Sequence, residues 1–520
     1  MQVELYDKIN KKAWARIDDL TSSGIVSISS SIARQQAEVI DCNNVIPFNG
    51  DIRKIGGFSS ITATIDPVTV AASNFKIIKL IPYISHNGTD IYTALVIMTN
   101  NRIFKMINSV VSDLAGTVML WSGMTEGDSY LNHAVDADIF FEPSTVKTYI
   151  VYNAYTPGRH SNKIYYDGTT WNQSALISST TDAKYVRVFG SHIICANISE
   201  ASYTYPHKIM WSDFNSTAFT GGTSGSAILR KSQDTMTGIE ILDAVRLLIF
   251  KENSISICNY RPTGLAPFTF DENAINDVGC ISAGSIAKHN NQVIFLSIDN
   301  VYKIDSSGIY PIGYQVIDDI LDNLSLATVH NINSMIVDNL YLLNIGGKNY
   351  IYDMIRNTWW KGGITINACG YDVLIPAGIS ANDVTLSSVK SYKYDGIIVA
   401  SGNNVYRYDL DTHNLGTSVI ESHIDFGDYN LGFPEFYKSV YAIGLEYKGS
   451  GLSVDYSTDL GVTWNNLGSI PDTNSWDKYA IQHISFSCEF VRLRFKTSSA
   501  NSWFNIKSFT VYFQQGEAIV

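Results

Sequence analysis

The side chains that could perform chemistry are scattered along this chain. The chain has ten histidines, and no two of them have the spacing of metal ligands. We therefore expect the histidines at the surface or hydrogen-bonded in the core. Six cysteines, without a CxxC pair, lie mostly in apolar strand-like stretches and are predicted to be buried free thiols: Cys42, Cys195, Cys258, Cys280, Cys369 and Cys488. From spacing alone we assign no catalytic residue, no cofactor-binding residue and no metal ligand. We expect no cofactor and no enzymatic activity.

Carboxylates leave one enzymatic alternative open. Short acidic clusters at 271–272 and 318–319 could hold calcium in a turn, although a solvated acidic face is favoured. A glycosidase needs two carboxylates that flank the scissile sugar bond, and any two strands can bring such a pair together. Hydrolysis in a central pocket therefore stays as an alternative.

One motif with fixed spacing lies near the end of the chain. Ser457, Asp459, Gly461, Thr463 and Trp464 fit S-x-D-x-G-x-T-W, the Asp-box pattern known from sialidases and other propellers. The pattern predicts a clasped hairpin, in which Ser and Asp bond turn amides and Trp packs under the loop. A sialidase also needs clustered arginines with a Tyr and Glu pair, and the thirteen arginines show no such constellation.

The composition indicates what must position these residues. The chain has 520 residues, 45% hydrophobic and only 17% charged, with 31 Tyr, 22 Phe and 37 Gly against 12 Pro. Aromatic residues favour strands, and Gly and Asn favour the turns between them. The sequence therefore predicts an all-β fold.

A short pattern recurs seven times, at intervals of 45 to 61 residues. Each copy is a turn residue followed by an alternating apolar and aromatic strand, and it usually follows a second strand that reads as its hairpin partner. The copies start at Asn101, Asn162, His207, Asn253, Asn300, Asn349 and Asn404. Three or four strands at this spacing predict a β-propeller of about seven blades, with six or eight left open. Trp359 and Trp360 are expected to pack between blades.

Three domains are predicted. Residues 1–50 form an N-terminal arm and entry strand, residues 51–415 the β-propeller, and residues 416–520 a C-terminal β-sandwich. The propeller carries one amphipathic helix over 314–324, because positions 316, 317, 320, 321 and 324 share a helical face. The longest apolar runs are too short to span a bilayer, and the N-terminus has no signal-peptide core.

The net charge of -12, with Lys and Arg scattered singly, argues against a protein that grips nucleic acid. The same charge suits a surface past which DNA must slide, because an acidic wall repels phosphate.

Three segments resemble one family, the nozzle or tail-hub proteins of short-tailed bacteriophages, also called packaged-DNA stabilisation or tail tubular proteins. Residues 41–58 are similar to the family's entry segment, although Ile55-Gly56-Gly57 stands where Pro-Gly is usual. Residues 307–321 look like its blade-closing strand and helix. Residues 454–464 and 491–495 are similar to its tail domain.

The resemblance implies a structural virion protein made in the host cytoplasm and located in the phage tail. It would form a homo-oligomeric ring, usually a hexamer, at the head-to-tail junction. The ring would contact portal and adaptor rings, and tail fibre, spike or needle proteins, but no membrane. It would retain packaged genomic DNA and conduct it during ejection without specific binding. The alternative function is a carbohydrate- or receptor-binding propeller.

Overall fold

The computed structural model describes most of the chain. The described residues are 2–7, 11–25, 38–61, 77–87, 90–99, 103–107, 110–114, 135–153, 161–201, 203–232, 234–262, 266–337, 339–371, 397–402, 404–409 and 411–518. His133 and His160, and the first two residues of the repeat copy at Asn101, lie outside the described residues.

Six short strands come first. They are β1 (Gln2–Asp7), β2 (Lys12–Ile17), β3 (Val39–Asn43), β4 (Val45–Phe48), β5 (Asp51–Lys54) and β6 (Gly57–Ser60).

The next 27 strands form seven antiparallel blades. Blade one is β7 (Ile77–Asn87), β8 (Asp90–Thr99), β9 (Ile103–Ile107) and β10 (Val110–Asp113). Blade two is β11 (Ala137–Glu142), β12 (Lys147–Tyr152), β13 (Asn162–Tyr166) and β14 (Trp171–Ala175). Blade three is β15 (Thr181–Phe189), β16 (His192–Glu200), β17 (Tyr203–Trp211) and β18 (Gly225–Ile228). Blade four is β19 (Met236–Ile241), β20 (Arg246–Lys251), β21 (Ser254–Tyr260) and β22 (Phe268–Asn276).

The remaining blades complete the circle. Blade five is β23 (Ala287–His289), β24 (Gln292–Leu296), β25 (Val301–Asp305) and β26 (Gly308–Pro311). Blade six is β27 (Asn333–Val337), β28 (Leu340–Ile345), β29 (Lys348–Asp353) and β30 (Thr358–Gly362). Blade seven has three strands from this part of the chain, β31 (Ala368–Tyr371), β32 (Ile397–Ser401) and β33 (Asn404–Asp409).

The fourth strand of blade seven comes from the start of the chain. β6 pairs antiparallel with β33, with Phe58 opposite Tyr408. The first strands of the blades are innermost, since β11 contacts β15, β15 contacts β19, β23 contacts β27 and β27 contacts β31, and β31 closes the circle against β7. Joining the two ends of a propeller within one blade leaves no open seam. The protein is therefore a seven-bladed β-propeller, as the repeat predicts.

The recurring sequence pattern is the third strand of every blade. Each copy coincides with one of β9, β13, β17, β21, β25, β29 and β33. The predicted helix is shorter than its pattern: α1 (Ile317–Asn323) lies between blades five and six. Val316, Ile317 and Ile320 are buried, whereas Leu321 is exposed. Trp359 is buried in the core between blades five and six, while Trp360 belongs to a different core, described next.

The end of the chain forms a two-sheet sandwich. Two short strands before it, β34 (Asn414–Leu415) and β35 (Ser418–Val419), extend blade seven. The sandwich strands that follow are β36 (Ser422–Tyr429), β37 (Phe436–Ser450), β38 (Ser453–Ser457), β39 (Asn465–Ser469), β40 (Thr473–Cys488), β41 (Val491–Thr497) and β42 (Trp503–Ala518). One sheet has the order β3-β36-β41-β38-β39 and the other β1-β2-β42-β37-β40, with β5 also pairing with β42. The two inner faces share one hydrophobic core.

The start of the chain differs from the predicted arm. β1, β2, β3, β4 and β5 are all strands of the sandwich, so the sandwich is built from both ends of the chain. β2 pairs with β42 in the register Trp14 opposite Tyr512. An alternating strand with an apolar face must bury that face, and here Ala13, Ala15 and Ile17 enter the sandwich core.

All six cysteines are free, and five of them are buried, while Cys369 is half-buried. No helix among the described residues is long and apolar enough to cross a membrane.

Candidate functional site

A cavity of about 300 Å³ lies at the centre of the propeller. Its wall comes from first strands, or the segments leading into them, of six blades. The polar lining residues include Lys79, Asp136, Lys184, Arg187, Ser282, His330, Asn331, Asn333, Ser334 and Asn367. A central cavity of this kind is the usual ligand site of a closed fold.

Four ionisable side chains from four blades are joined in a row beside this cavity. Lys79 Nζ lies 3.5 Å from Asp136 Oδ1, and Arg187 Nη1 donates to the same carboxylate. Arg187 Nε lies 3.1 Å from Glu240 Oε2. Asp136 also accepts a hydrogen bond from the backbone N–H of Val186. Signs alternate along the row, so each buried charge has a partner, as burial requires.

The row holds Asp136 and Arg187 in their charged forms. Burial raises the pKa of Asp136, but Arg187 and Lys79 outweigh burial, and the pKa lies below the ordinary value. Burial lowers the pKa of Arg187, but the adjacent Asp136 and Glu240 reverse this effect and raise the pKa. Asp138 is different, because burial raises its pKa despite Arg187 and bonds from backbone amides.

The opposite wall is fixed by neutral hydrogen bonds. Ser282 Oγ donates to the Val329 carbonyl at 2.7 Å, and Ser334 Oγ donates to the Gly284 carbonyl at 2.9 Å. A Cβ at Gly284 would meet the Ile332 carbonyl oxygen at 1.9 Å, so a side chain at this position would displace the wall. The cavity therefore has one charged wall and one neutral polar wall.

The four residues of the charged row come from four different blades, one from each of blades one to four. No spacing in the sequence therefore connects them. The arginine cluster that a sialidase needs is not formed here: Arg187 alone among the described arginines lines the cavity. The sequence assigned no site residue, and only the closed propeller brings these side chains together.

A second charged network joins the propeller to the sandwich. Lys361, on β30, lies 3.0 Å from Asp319 Oδ2 in α1 and 3.9 Å from Asp41 Oδ1 in β3. Asp41 Oδ2 lies 3.3 Å from His423 Nε2 in β36. Burial raises the pKa of Asp41, but the hydrogen bond with His423 and the charge of Lys361 together lower the pKa by more. The pKa of Asp41 therefore lies below its ordinary value.

The sandwich side of this network has a buried ion pair. Arg494 Nε and Nη2 donate to the two oxygens of Asp425 at 2.7 and 2.6 Å. Ligand atoms of Asp41, His423 and Asp425 lie within 4.8 Å of one another, the one group of this type in the described part of the chain. Because Arg494 and Lys361 already neutralise the two carboxylates, the group is built as an ion-pair network.

This junction brings together the segments that carry the family resemblance. Asp41 belongs to the first segment, Asp319 to the second and Arg494 to the third. The first and third also lie in one sheet, in which β3 and β41 flank β36. Three segments separated by more than a hundred residues each are therefore neighbours in space.

The Asp-box is a clasp between β38 and β39, as predicted. Asp459 accepts hydrogen bonds from the Thr463 amide at 2.9 Å and from Ser457 Oγ at 2.7 Å. Hydrogen bonds from Thr463 and Ser457 lower the pKa of Asp459 to about 2. The Arg494 guanidinium lies 3.9 Å from the ring centroid of Trp464, which is half-buried.

The two acidic clusters are engaged within the protein. Glu272 accepts a hydrogen bond from the Lys231 amide, and Asp319 forms ion pairs with Lys348 and Lys361.

Comparisons with known proteins find similarity in fold. No protein-family model matches the chain, and no curated protein matches it. Among solved structures, the chain is similar to exo-beta-1,3-galactanase from Phanerochaete chrysosporium, at 10% identity over 72% of this chain and 95% of that one, with a TM-score of 0.27. It is also similar to virginiamycin B lyase from Staphylococcus aureus, at 13% identity over 56% of this chain and 91% of that one, with a TM-score of 0.31. Both are β-propellers, the class to which this chain belongs.

These matches correct the expectation that the chain has no enzymatic activity. The propellers it resembles include a glycosidase and a lyase, so the fold does not imply an absence of catalysis, and that expectation is not retained. At such identities the likeness describes fold alone, and no activity is carried over to this chain.

Proposed function

We propose that the chain is a ring-forming subunit of the tail nozzle of a short-tailed bacteriophage. The observation that supports this most is the convergence of the three resembling segments at the junction of propeller and sandwich. Lys361 bridges two of these segments, and the third lies in the same sheet as the first. A family signature that is scattered in sequence and contiguous in space is typical of a shared architecture.

The chemistry of the chain is compatible with a conduit. A net charge of -12 weakens binding to phosphate, so DNA could pass the ring without being retained by it. The sandwich, built from both chain ends and joined to blade six, offers a rigid body for contacts between subunits. Ring contacts of this kind are heterologous and close by rotation.

Quantitative mass spectrometry of purified virions from the encoding phage tests this proposal, together with immunogold labelling. The proposal expects label at the tail and a copy number near that of a single ring. Absence of the chain from intact virions would contradict it.

A second candidate function, carbohydrate binding, is favoured by the central cavity, whose volume of about 300 Å³ lies at the lower end of the range of small-molecule sites. Isothermal titration calorimetry with glucose and galactose tests it. Saturable binding at millimolar sugar supports this function, and the absence of saturable heat with neutral and acidic sugars alike removes it.

A further inference from the structure

We propose that the central cavity binds a small ligand through a carboxylate or phosphate group, as in an acidic monosaccharide or a sugar phosphate. This inference rests on the second candidate function, ligand binding in the cavity, and is independent of ring assembly. It names the ligand's charge, which neither the fold nor the comparisons address.

The charge of the cavity wall carries the first step. Among the described lining residues, Lys79, Lys184 and Arg187 are cationic and Asp136 is acidic. The wall therefore has a positive excess inside a chain whose net charge is -12. In a site of low dielectric, such a local excess selects anions more strongly than the charge of the whole protein repels them.

Arg187 is the anchor of the proposed site. Its side chain is only 14% exposed, and Asp136 and Glu240 hold its Nη1 and Nε. No hydrogen bond from Nη2 to another group is found in the described part of the chain, although Arg187 lines the cavity. A guanidinium fixed on two sides presents its remaining N–H groups with little loss of conformational entropy, which suits binding of a planar carboxylate or a phosphate.

Lys79 supplies a second cation on the same charged wall. Its side chain is 31% exposed, and its ammonium lies 3.5 Å from Asp136 Oδ1. Both Lys79 and Arg187 contact this one carboxylate, so their ammonium and guanidinium groups are held near each other. Because an ammonium has three donors, Lys79 can bind an anion without leaving Asp136.

The nearby carboxylates do not face the ligand as free charges. Asp136 is bound by Arg187 and by the Val186 amide, and Glu240 is bound by Arg187. Asp138 accepts hydrogen bonds from the amides of Ile139 and Val188. Glu240 and Asp138 are absent from the described lining of the cavity. The carboxylates thus position Arg187, and the cavity presents cations.

The test compares three probes that share one pyranose ring and differ in the group at carbon 6, by isothermal titration calorimetry of the full chain: glucose, glucuronate and glucose 6-phosphate. The inference expects glucuronate or glucose 6-phosphate to bind at least about tenfold more tightly than glucose, with affinity falling as salt rises. Tighter binding of glucuronate would identify a carboxylate ligand, and tighter binding of glucose 6-phosphate a phosphate ligand. Equal binding of all three would overturn the anionic ligand and leave carbohydrate binding standing, whereas no binding of any would remove both.

A variant pair localises the binding. Lys79→Met removes one ammonium group from the cavity and keeps an apolar side chain of similar length. Because Lys79 is partly exposed, we expect the variant to fold. Lys288→Met removes the same charge from an exposed position on β23 and serves as the control. We expect K79M to weaken binding of the anionic probe at least about fivefold, with K288M unchanged. Equal affinities in folded K79M and K288M would overturn the assignment of the cavity.

Discussion

Trp359 and Trp360 are adjacent residues whose rings pack in two different hydrophobic cores. Trp359 lies in the core between blades five and six, and its Nε1 donates to the Ile312 carbonyl at 2.6 Å. Trp360 lies in the core of the sandwich and donates to Thr358 Oγ1 at 3.1 Å. One strand, β30, therefore anchors both parts of the molecule.

The first prediction concerns this anchor. Trp360→Ala removes a fully buried indole from the sandwich core and should lower the free energy of unfolding by about 3–5 kcal/mol. Trp476→Ala, at a side chain 40% exposed, is the control and should cost much less. Guanidinium unfolding measured by fluorescence checks both variants. Equal losses of unfolding free energy in the two variants would show that Trp360 does not stabilise the sandwich core.

The second prediction concerns the ion pair between Asp425 and Arg494. Asp425→Asn leaves Arg494 without its buried partner, and breaking such a pair costs about 3 kcal/mol or more. Arg494→Met should cost a similar amount, because it leaves Asp425 unpaired. The double variant should lose less than the sum, since both charges are removed together. Strictly additive losses in denaturant unfolding would contradict this coupling.

The third prediction separates backbone strain from crowding at two glycines. Gly50 has φ +88° with open space where a Cβ would stand, whereas Gly461 has φ +90° and a Cβ there would meet Arg492 Nη1 at 2.5 Å. Gly50→Ala should cost about 1 kcal/mol, from the positive φ alone. Gly461→Ala should cost more, because Arg492 must move from its bidentate contact with Asp428. A smaller loss for G461A than for G50A in thermal unfolding would contradict the Asp-box geometry.

The fourth prediction concerns pH and Lys54. This lysine is buried, donates to the Ser502 carbonyl at 2.7 Å, and has its pKa lowered by burial from 10.5 to about 8. Between pH 8 and 10.5 the unfolded chain holds this proton while the folded chain releases it, so this group makes the protein more stable as pH rises through that window. Below pH 8 the charged lysine is buried at a cost.

Lys54→Met removes this pH dependence. The melting temperature of K54M minus that of the wild type should therefore be higher at pH 7 than at pH 10. Lys507→Met changes an exposed lysine and is the control, for which we expect only a small change in melting temperature. A pH-independent difference for K54M would show that burial does not lower the pKa of Lys54 in the folded protein.

The propeller was predictable because its signal is local and repeated. Each third strand carries its own turn residue and alternation, so seven copies such as those at Asn300 and Asn349 report one element each. The position of the first five strands was not predictable. β2 pairs with β42 across about five hundred residues, and nothing near Trp14 in sequence indicates that partner.

The candidate site was not predictable for the same reason. Lys79, Asp136, Arg187 and Glu240 lie on four blades, and each is an isolated charge in its own sequence window. Only closure of the propeller brings them within contact of one another. The Asp-box is the contrasting case, because all of its hydrogen bonds lie within seven residues of sequence.

The most direct test of the nozzle proposal is a cryo-electron microscopy reconstruction of the tail in virions of the encoding phage. If the chain forms the nozzle, the reconstruction will contain seven-bladed propellers, each with its attached sandwich, arranged as a closed ring around the DNA channel below the portal. A tail reconstruction whose ring is built from another fold, with no density for this chain, would contradict it.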